Sequence, residues 1–235
     1  MDISPPPVLY IVGDLFDFWF EYRHTIPTKY QKILGKLALM IERGIEIRYV
    51  TGNHDFWMDK YFPVELGIPV FHGIHSLIVG SKKIHISHGD GVLKEDTGYR
   101  VLKKILRNKW VIATYKLIHP DIGIPFAHWA SSTSRTAGLR TPEQARKDDA
   151  EYFSYAKEQL ENGYDYVIIG HTHRPKAVSY NNKRYINLGD WIQHFTFAKY
   201  NGEVLNLFHW NGNQKHSNSQ IVTLKNYKEE FIETL

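Results

Sequence analysis

A chain of 235 residues is long enough for one domain with a full core, and its content of 43% hydrophobic and 23% charged residues excludes wholesale disorder. Lys and Arg exceed Asp and Glu by 29 − 25 = 4, which favours an anionic partner such as phosphate, nucleic acid or an acidic membrane face. The absence of cysteine excludes disulfides and thiolate metal ligands, so any metal must sit on His, Asp, Glu, Asn or water.

The first twenty residues lack a basic start and a long apolar core. No stretch approaches the roughly 18–20 apolar residues of a membrane span, so neither an export signal nor a spanning helix is expected. Val8–Val12 is a continuous apolar run of the kind found in buried parallel strands, and it stops at Gly13-Asp14. Between Thr28 and Arg43, Ile33, Leu34, Leu37, Met40 and Ile41 follow helical spacing, and Gly44 supplies a stop. Ile45–Val50 is a further strand, followed by Gly52-Asn53-His54-Asp55, so strand, helix and strand form a βαβ unit. Ile84–Ser87 alternates and delivers His88-Gly89-Asp90, and Tyr166–Ile169 delivers Gly170-His171-Thr172-His173. Four strands thus end in polar clusters, and ligand sites of open α/β sheets gather beyond such ends.

The segment between the third and fourth clusters reads as helical. Arg100, Lys103, Lys104 and Arg107 make one basic stripe, with Val101, Leu102, Ile105 and Leu106 on the other side. A solvated helix face is the ordinary reading of such a stripe. The functional one is contact with a pyrophosphate or an anionic leaflet, at about 1 kcal/mol per basic residue, and the position within the insertion favours it. Thr141, Pro142 and Gln144 make a capping box for a helix that Gly163 ends. Beyond Lys176 short strands follow, with a hairpin signal at Asn201-Gly202, and from about Asn211 the chain turns polar, with Lys215–Gln220 expected to be a loose tail.

Taken singly, each cluster has an ordinary explanation: Gly-Asp after a strand is usually a turn, and a lone histidine a hydrogen-bonded core or surface residue. As a set, Asp14, Asn53, His88, His171 and His173 are oxygen and nitrogen donors at strand ends, and coincidence is a poor account of them. Phosphoester hydrolysis needs a nucleophile made at neutral pH and neutralised phosphate oxygens, which two divalent ions about 3.5–4 Å apart supply. A carboxylate such as Asp14 can bridge two ions, with imidazoles and an amide completing the shells. That donor set suits Mn, Fe or Zn better than Ca. Phe16, Phe18, Trp19, Phe20 and Tyr22, like Trp110, Tyr115, Phe126 and Trp129 in the insertion, are core residues by default and lining for an acyl or uracil pocket by the functional reading.

Gly13-Asp14, Gly52-Asn53-His54-Asp55, His88-Gly89-Asp90 and Gly170-His171-Thr172-His173 resemble, in order and spacing over about residues 8–190, the successive motifs of calcineurin-like metallophosphoesterases. The resemblance implies a layered α/β fold, β-sheets flanked by helices, spanning 1–235 as a single domain, with a helical cap insertion over about 94–160 and a polar C-terminal tail over about 211–235. It further implies that Asp14 bridges two divalent metal ions, Mn²⁺ foremost, that Asn53, His88 and His171 bind one, and that His173 binds the other. His54 would stabilise the transition state or protonate the leaving group, with Asp55 tuning it.

The family's first motif, an Asp-x-His upstream of Gly-Asp, has no counterpart here: Met1-Asp2-Ile3-Ser4 lacks the histidine. If these residues are the whole molecule, the second ion is expected to keep only Asp14 and His173, with weak occupancy and activity that is low or absent. Within the family the likeness is nearest to the UDP-2,3-diacylglucosamine pyrophosphohydrolases of bacterial lipid A synthesis, carried by Gly13-Asp14-Leu15-Phe16-Asp17-Phe18-Trp19, by Gly170-His171-Thr172-His173-Arg174-Pro175 and by the helical insertion. Those enzymes often carry Arg where this chain has His54. The resemblance implies a nucleotide-linked lipid substrate, with Arg100, Lys103, Lys104 and Arg107 binding it. It also implies peripheral contact with an anionic membrane surface, no nucleic acid partner, and a place in the cytoplasm or on the inner membrane. Two rivals stay open at this point: a general phosphoesterase acting on nucleotides, phosphoproteins or nucleic acid, and a scaffold without catalysis, as the retromer subunit of the same superfamily implies.

Overall fold

The computed structural model describes residues 7–95, 97–137, 140–210 and 230–231, with the backbone alone for 130–137 and 230–231. The described residues divide into two compact units, one made of 7–73 and Asp90–Tyr152, the other of Ile74–Gly89 and the described residues from Phe153 onward.

In the first unit, β1 (Val8–Val12), β2 (Glu46–Val50) and β3 (Val70–Phe71) form a parallel sheet in that order, with Val8 opposite Glu46 and Val12 opposite Val50. β2 is central and buries Ile47, Tyr49 and Val50, while β1 lies at the sheet's edge and is half-buried along its length. β1 is therefore less buried than its continuous apolar run predicts, because an edge strand has a neighbour on one side alone. Helix α1 (Gln31–Glu42) joins the two strands and buries Leu34 and Leu37. The expected start at Thr28 is a single tight turn, Thr28–Tyr30, which drops the Tyr30 ring against Phe16, centroids 4.7 Å apart. Phe16, Trp19, Met58, Phe62 and Ile68 complete this core.

The insertion carries α2 (Thr97–Leu106), α3 (Lys109–Tyr115), α4 (Pro120–Ala137) and α5 (Pro142–Glu161). The capping box forms as the sequence predicts: Thr141 N donates to Gln144 Oε1 at 3.0 Å and Gln144 N to Thr141 Oγ1 at 3.2 Å. The short loop before α3 is set by Asn108, whose side chain accepts from Trp110 N at 2.9 Å. Phe18, Phe20 and Tyr22 pack with Trp57, Ile112, Tyr115, Ile124 and Ala127, so an aromatic arm after β1 supplies the apolar floor under α3 and α4.

The basic stripe of α2 faces inward. Arg100 donates to the carbonyls of Leu93 and Lys94, Lys103 to that of Asp90, and the Arg107 guanidinium lies over the Phe56 ring. Lys104 is exposed. Val101, Leu102 and Ile105 face solvent, and farther along the insertion Trp110 and Leu117 are 82% and 85% exposed. Helical period alone predicts the opposite orientation; here the buried Asp90 charge outweighs three aliphatic side chains, because an uncompensated carboxylate is the costlier group to bury.

The second unit is built on a six-stranded sheet in the order β11-β7-β8-β6-β5-β4. Its strands are β4 (His75–Val79), β5 (Lys82–Ser87), β6 (Tyr166–Ile169), β7 (Lys176–Tyr180), β8 (Lys183–Asn187) and β11 (Glu230–Phe231). β5, β6 and β8 run parallel, flanked by the antiparallel partners β4 and β7. The alternation expected for Ile84–Ser87 is absent, because a sheet interior buries all four residues on both faces. β7 turns into β8 through Asn181 and Asn182, both left-handed, as a two-residue hairpin requires. β9 (Thr196–Tyr200) and β10 (Leu205–His209) form a separate hairpin, in which the Asn201 side chain accepts from the amides of Glu203 and Val204, making a wider loop than Asn201-Gly202 predicts. Lys215–Gln220, expected as a loose tail, lies outside the described residues.

Candidate metal centre

Asp14 and the Asn53-His54 loop belong to the first unit, where β1 and β2 end side by side. Gly13 and Asp14 both take left-handed backbone, turning the chain sharply at the strand tip. Asp14 Oδ1 accepts from His54 N at 3.0 Å, which ties the two strand-end loops together. Gly52 is required by close approach: a Cβ there would lie 2.1 Å from Asp14 Oδ1.

Asp55 is fully buried. Its Oδ1 accepts from Gly52 N at 2.7 Å and its Oδ2 from Leu15 N at 3.0 Å and from the Tyr49 hydroxyl, so this carboxylate bonds to both loops. Burial, and after it the Asp55 charge, pushes the Tyr49 phenol well up, which keeps Tyr49 protonated and makes it the donor. His54 Nδ1 lies 3.0 Å from the Asp17 carbonyl oxygen. A carbonyl only accepts, so Nδ1 carries a proton toward it.

His88, His171 and His173 belong to the second unit, at the ends of the neighbouring parallel strands β5 and β6. Gly170 N donates to the His88 carbonyl at 3.0 Å, joining the two ends. His171 and His173 are left-handed, and Arg174 N donates to Thr172 Oγ1, which closes the turn. Nδ1 of His171 stands 3.2 Å from Nε2 of His88. Two imidazole nitrogens each about 2.1 Å from one ion stand about 3.0–3.4 Å apart at ligand angles from square to tetrahedral. The observed spacing therefore fits a shared divalent cation, and imidazole nitrogen is a donor of the kind Mn, Fe and Zn accept.

Two clusters beside these residues were not singled out by sequence. Asp90, next after His88-Gly89, has a largely buried side chain that accepts from the Tyr99 hydroxyl at 2.8 Å and pairs with Lys103 at 2.5 Å and Arg107 at 4.0 Å. Three side chains of α2 and the residue after it thus converge on the aspartate of the third motif. Burial, and after it the Asp90 charge, pushes the Tyr99 phenol up.

Asp190, after β8, is the other. Its Oδ1 accepts from the amides of Ile192, Gln193 and His194, and its Oδ2 from His194 Nδ1 at 2.8 Å. Burial pushes the Asp190 carboxyl up, but the Gln193 amide, the His194 side chain and the other amides outweigh it and hold the group well below the usual carboxylate range. Leu188-Gly189-Asp190 repeats the strand-then-Gly-Asp pattern of Gly13-Asp14, and that signal was available in the sequence.

The family model for calcineurin-like phosphoesterases matches residues 2–175. The chain belongs to this family. As a calcineurin-like phosphoesterase it is a hydrolase, and its family binds divalent metal. The UDP-2,3-diacylglucosamine hydrolase of Porphyromonas gingivalis is 32% identical over 213 residues, covering 84% of this chain and 81% of that protein. The protein of the same name from Aeromonas salmonicida is 26% identical over 200 residues, covering 82% and 76%. Among solved structures, a novel archaeal phosphodiesterase aligns with TM-score 0.39 at 13% identity, over 75% of this chain and 76% of that one. Among the described residues, no helix of this phosphoesterase is long and apolar enough to cross a membrane.

Proposed function

We propose that this phosphoesterase hydrolyses the pyrophosphate of UDP-2,3-diacylglucosamine, releasing UMP and 2,3-diacylglucosamine 1-phosphate for lipid A synthesis. The observation that carries the reading is the 32% identity to the Porphyromonas gingivalis hydrolase of that substrate, which runs across 84% of the chain and so includes the helical insertion as well as the motifs. In this reading Asp14, Asn53, His88 and His171 would hold one ion and Asp14 and His173 a second, with Mn²⁺ the favoured metal. Bound divalent ions supply an acidified water and neutralise the nonbridging phosphate oxygens.

The chain's own groups do the rest. As water oxygen bonds to the α-phosphorus, the bond from that phosphorus to the bridging oxygen breaks, and the lipid phosphate departs. His54, with its Nδ1–H committed to the Asp17 carbonyl, would act as general acid in its imidazolium form, giving the Nε2 proton to the departing oxygen and keeping the Nδ1 proton on that carbonyl. Asp55 acts as a positioning residue through the Gly52 and Leu15 amides. Of the basic stripe, Arg100, Lys103 and Arg107 gather cationic charge about the Asp90 segment, which suits a pyrophosphate. Exposed Lys104 suits an anionic headgroup. The outward Trp110 and Leu117 support peripheral contact with the inner membrane from the cytoplasmic side.

UMP release with Mn²⁺ tests the reading, using UDP-2,3-diacylglucosamine, the deacylated UDP-sugar and a simple aryl phosphodiester side by side. The acylated substrate should be turned over fastest by at least about tenfold. Turnover of the aryl diester with none of the acylated substrate would move the assignment to a general phosphoesterase.

A further inference from the structure

We infer that Asp190 is a positioning residue for His173: its carboxylate holds the imidazole so that Nδ1 carries the proton and Nε2 is the nitrogen offered to a cation. The inference rests on the assignment of His173 as a ligand, and it adds a residue beyond the four motifs, outside the stretch matched by the family model.

The chain places Asp190 there by strand pairing. β6 and β8 are parallel neighbours with Ile169 opposite Asn187, and the pairing runs one residue further, Leu188 N donating to the Ile169 carbonyl at 2.8 Å. The loop after β8 must therefore emerge beside the Gly170–His173 turn. Gly189 lets it come close: its φ is +70°, and a Cβ there would lie 2.5 Å from Thr196 Oγ1 and 2.9 Å from Pro175 Cβ. No side chain fits between the loop and the end of the fourth motif.

Asp190 is then fixed in aim. Three successive amides point at Oδ1, at 2.8, 2.6 and 3.1 Å, a concave set of donors of the kind that holds an anion. With Oδ1 so committed, Oδ2 faces two imidazoles: His194 Nδ1 at 2.8 Å and His173 Nδ1 at 3.9 Å. The 3.9 Å separation is an electrostatic approach and not a hydrogen bond; a carboxylate charge on that side of the ring favours the tautomer whose proton sits on the nearer nitrogen, Nδ1. A metal-binding histidine commonly presents its other ring nitrogen to a carboxylate in this way, and loss of that partner typically weakens the metal 10–100-fold. His194, 40% exposed in its side chain, shares the oxygen and completes the clamp.

The test uses the full chain labelled with ¹⁵N-histidine, compared with Asp190→Asn, an isosteric change whose carbonyl oxygen can still accept from the loop amides. Histidine ring correlations without metal, assigned with His173→Ala, should show His173 as the Nδ1–H tautomer. In Asp190→Asn they should move to Nε2–H or a mixture. A Mn²⁺ titration followed by electron paramagnetic resonance should show any ion lost in His173→Ala weakened about 10–100-fold in Asp190→Asn, with the ion lost in His171→Ala unchanged. An unaltered His173 tautomer in Asp190→Asn overturns the inference. Should that variant fail to melt cooperatively, Asp190→Ser carries the same expectation, since its hydroxyl can accept from the amides without the charge. Failure of the wild type to bind Mn²⁺ at all would instead sink the metal-dependent reading and leave the tautomer result standing.

Discussion

Each unit contains a buried aspartate that accepts backbone amides beside the donors, but the two close on different partners. Asp55 takes the amides of Gly52 and Leu15 and completes its shell with the Tyr49 phenol. Asp190 takes three amides and completes its shell with the His194 imidazole. A phenol whose pKa is pushed far up stays a neutral donor across the working range, so the Asp14 loop is held in one protonation state. The His194 side chain is instead 40% exposed, so one device, a carboxylate held by backbone amides, closes on a buried phenol in one unit and on a solvent-facing imidazole in the other.

The strongest attempt to break this comparison is to remove a donor from each side. Asp14→Ala and His171→Ala should each lower UMP release by at least about a thousandfold, as expected if each residue is a metal ligand under the proposed function. A variant retaining most of the activity would show that its unit is dispensable. Next in size is the acid response of the second unit. His85 is buried in β5 among Ser87, Tyr155 and Tyr164, and burial lowers its pKa from 6.5 to about 4. As pH falls the unfolded chain takes up this proton before the folded one. The stability contribution is therefore complete above pH 6.5 and is lost progressively between there and pH 4, by roughly 3 kcal/mol. Urea midpoints across that window, compared with His85→Gln, should separate this contribution, and parallel curves would exclude it.

A smaller effect sharpens the account of the first unit. Gly52→Ala forces a methyl onto Asp14 Oδ1 and should cost about 1–3 kcal/mol in urea unfolding while also weakening Mn²⁺. Loss of stability with unchanged Mn²⁺ affinity would detach the Gly52 contact from the metal. Smallest is Tyr49→Phe, expected to cost about 1 kcal/mol by leaving Asp55 short of one donor. Its activity should change little at neutral pH, because the amides of Gly52 and Leu15 remain.

The strand ends were legible because each motif follows an apolar run and begins with a residue that breaks it: Val8–Val12 before Gly13, Tyr166–Ile169 before Gly170. The capping box at Thr141 was legible for the same reason, since its partners are three residues apart and need no distant help. Orientation was not. Residues on α2 that look amphipathic in the helical period turn their basic side toward Asp90 and their aliphatic side toward solvent, because the deciding charge lies outside the helix. Asp190 was missed although it follows Gly189 at a strand end, because a single Gly-Asp most often marks a turn, and only the pairing of β8 with β6 brings it to His173.

Local chemistry in the chain therefore decided which segments are strands and helices, where they stop, and which donors stand at their ends, since these depend on φ preferences, hydrophobic period and capping over a few residues. Tertiary structure decided what those donors face: the Asp55 bond to Tyr49, the 3.2 Å approach of His171 to His88, and the Asp190 clamp. Such contacts depend on strand order and close backbone approach, quantities that no short window of sequence contains.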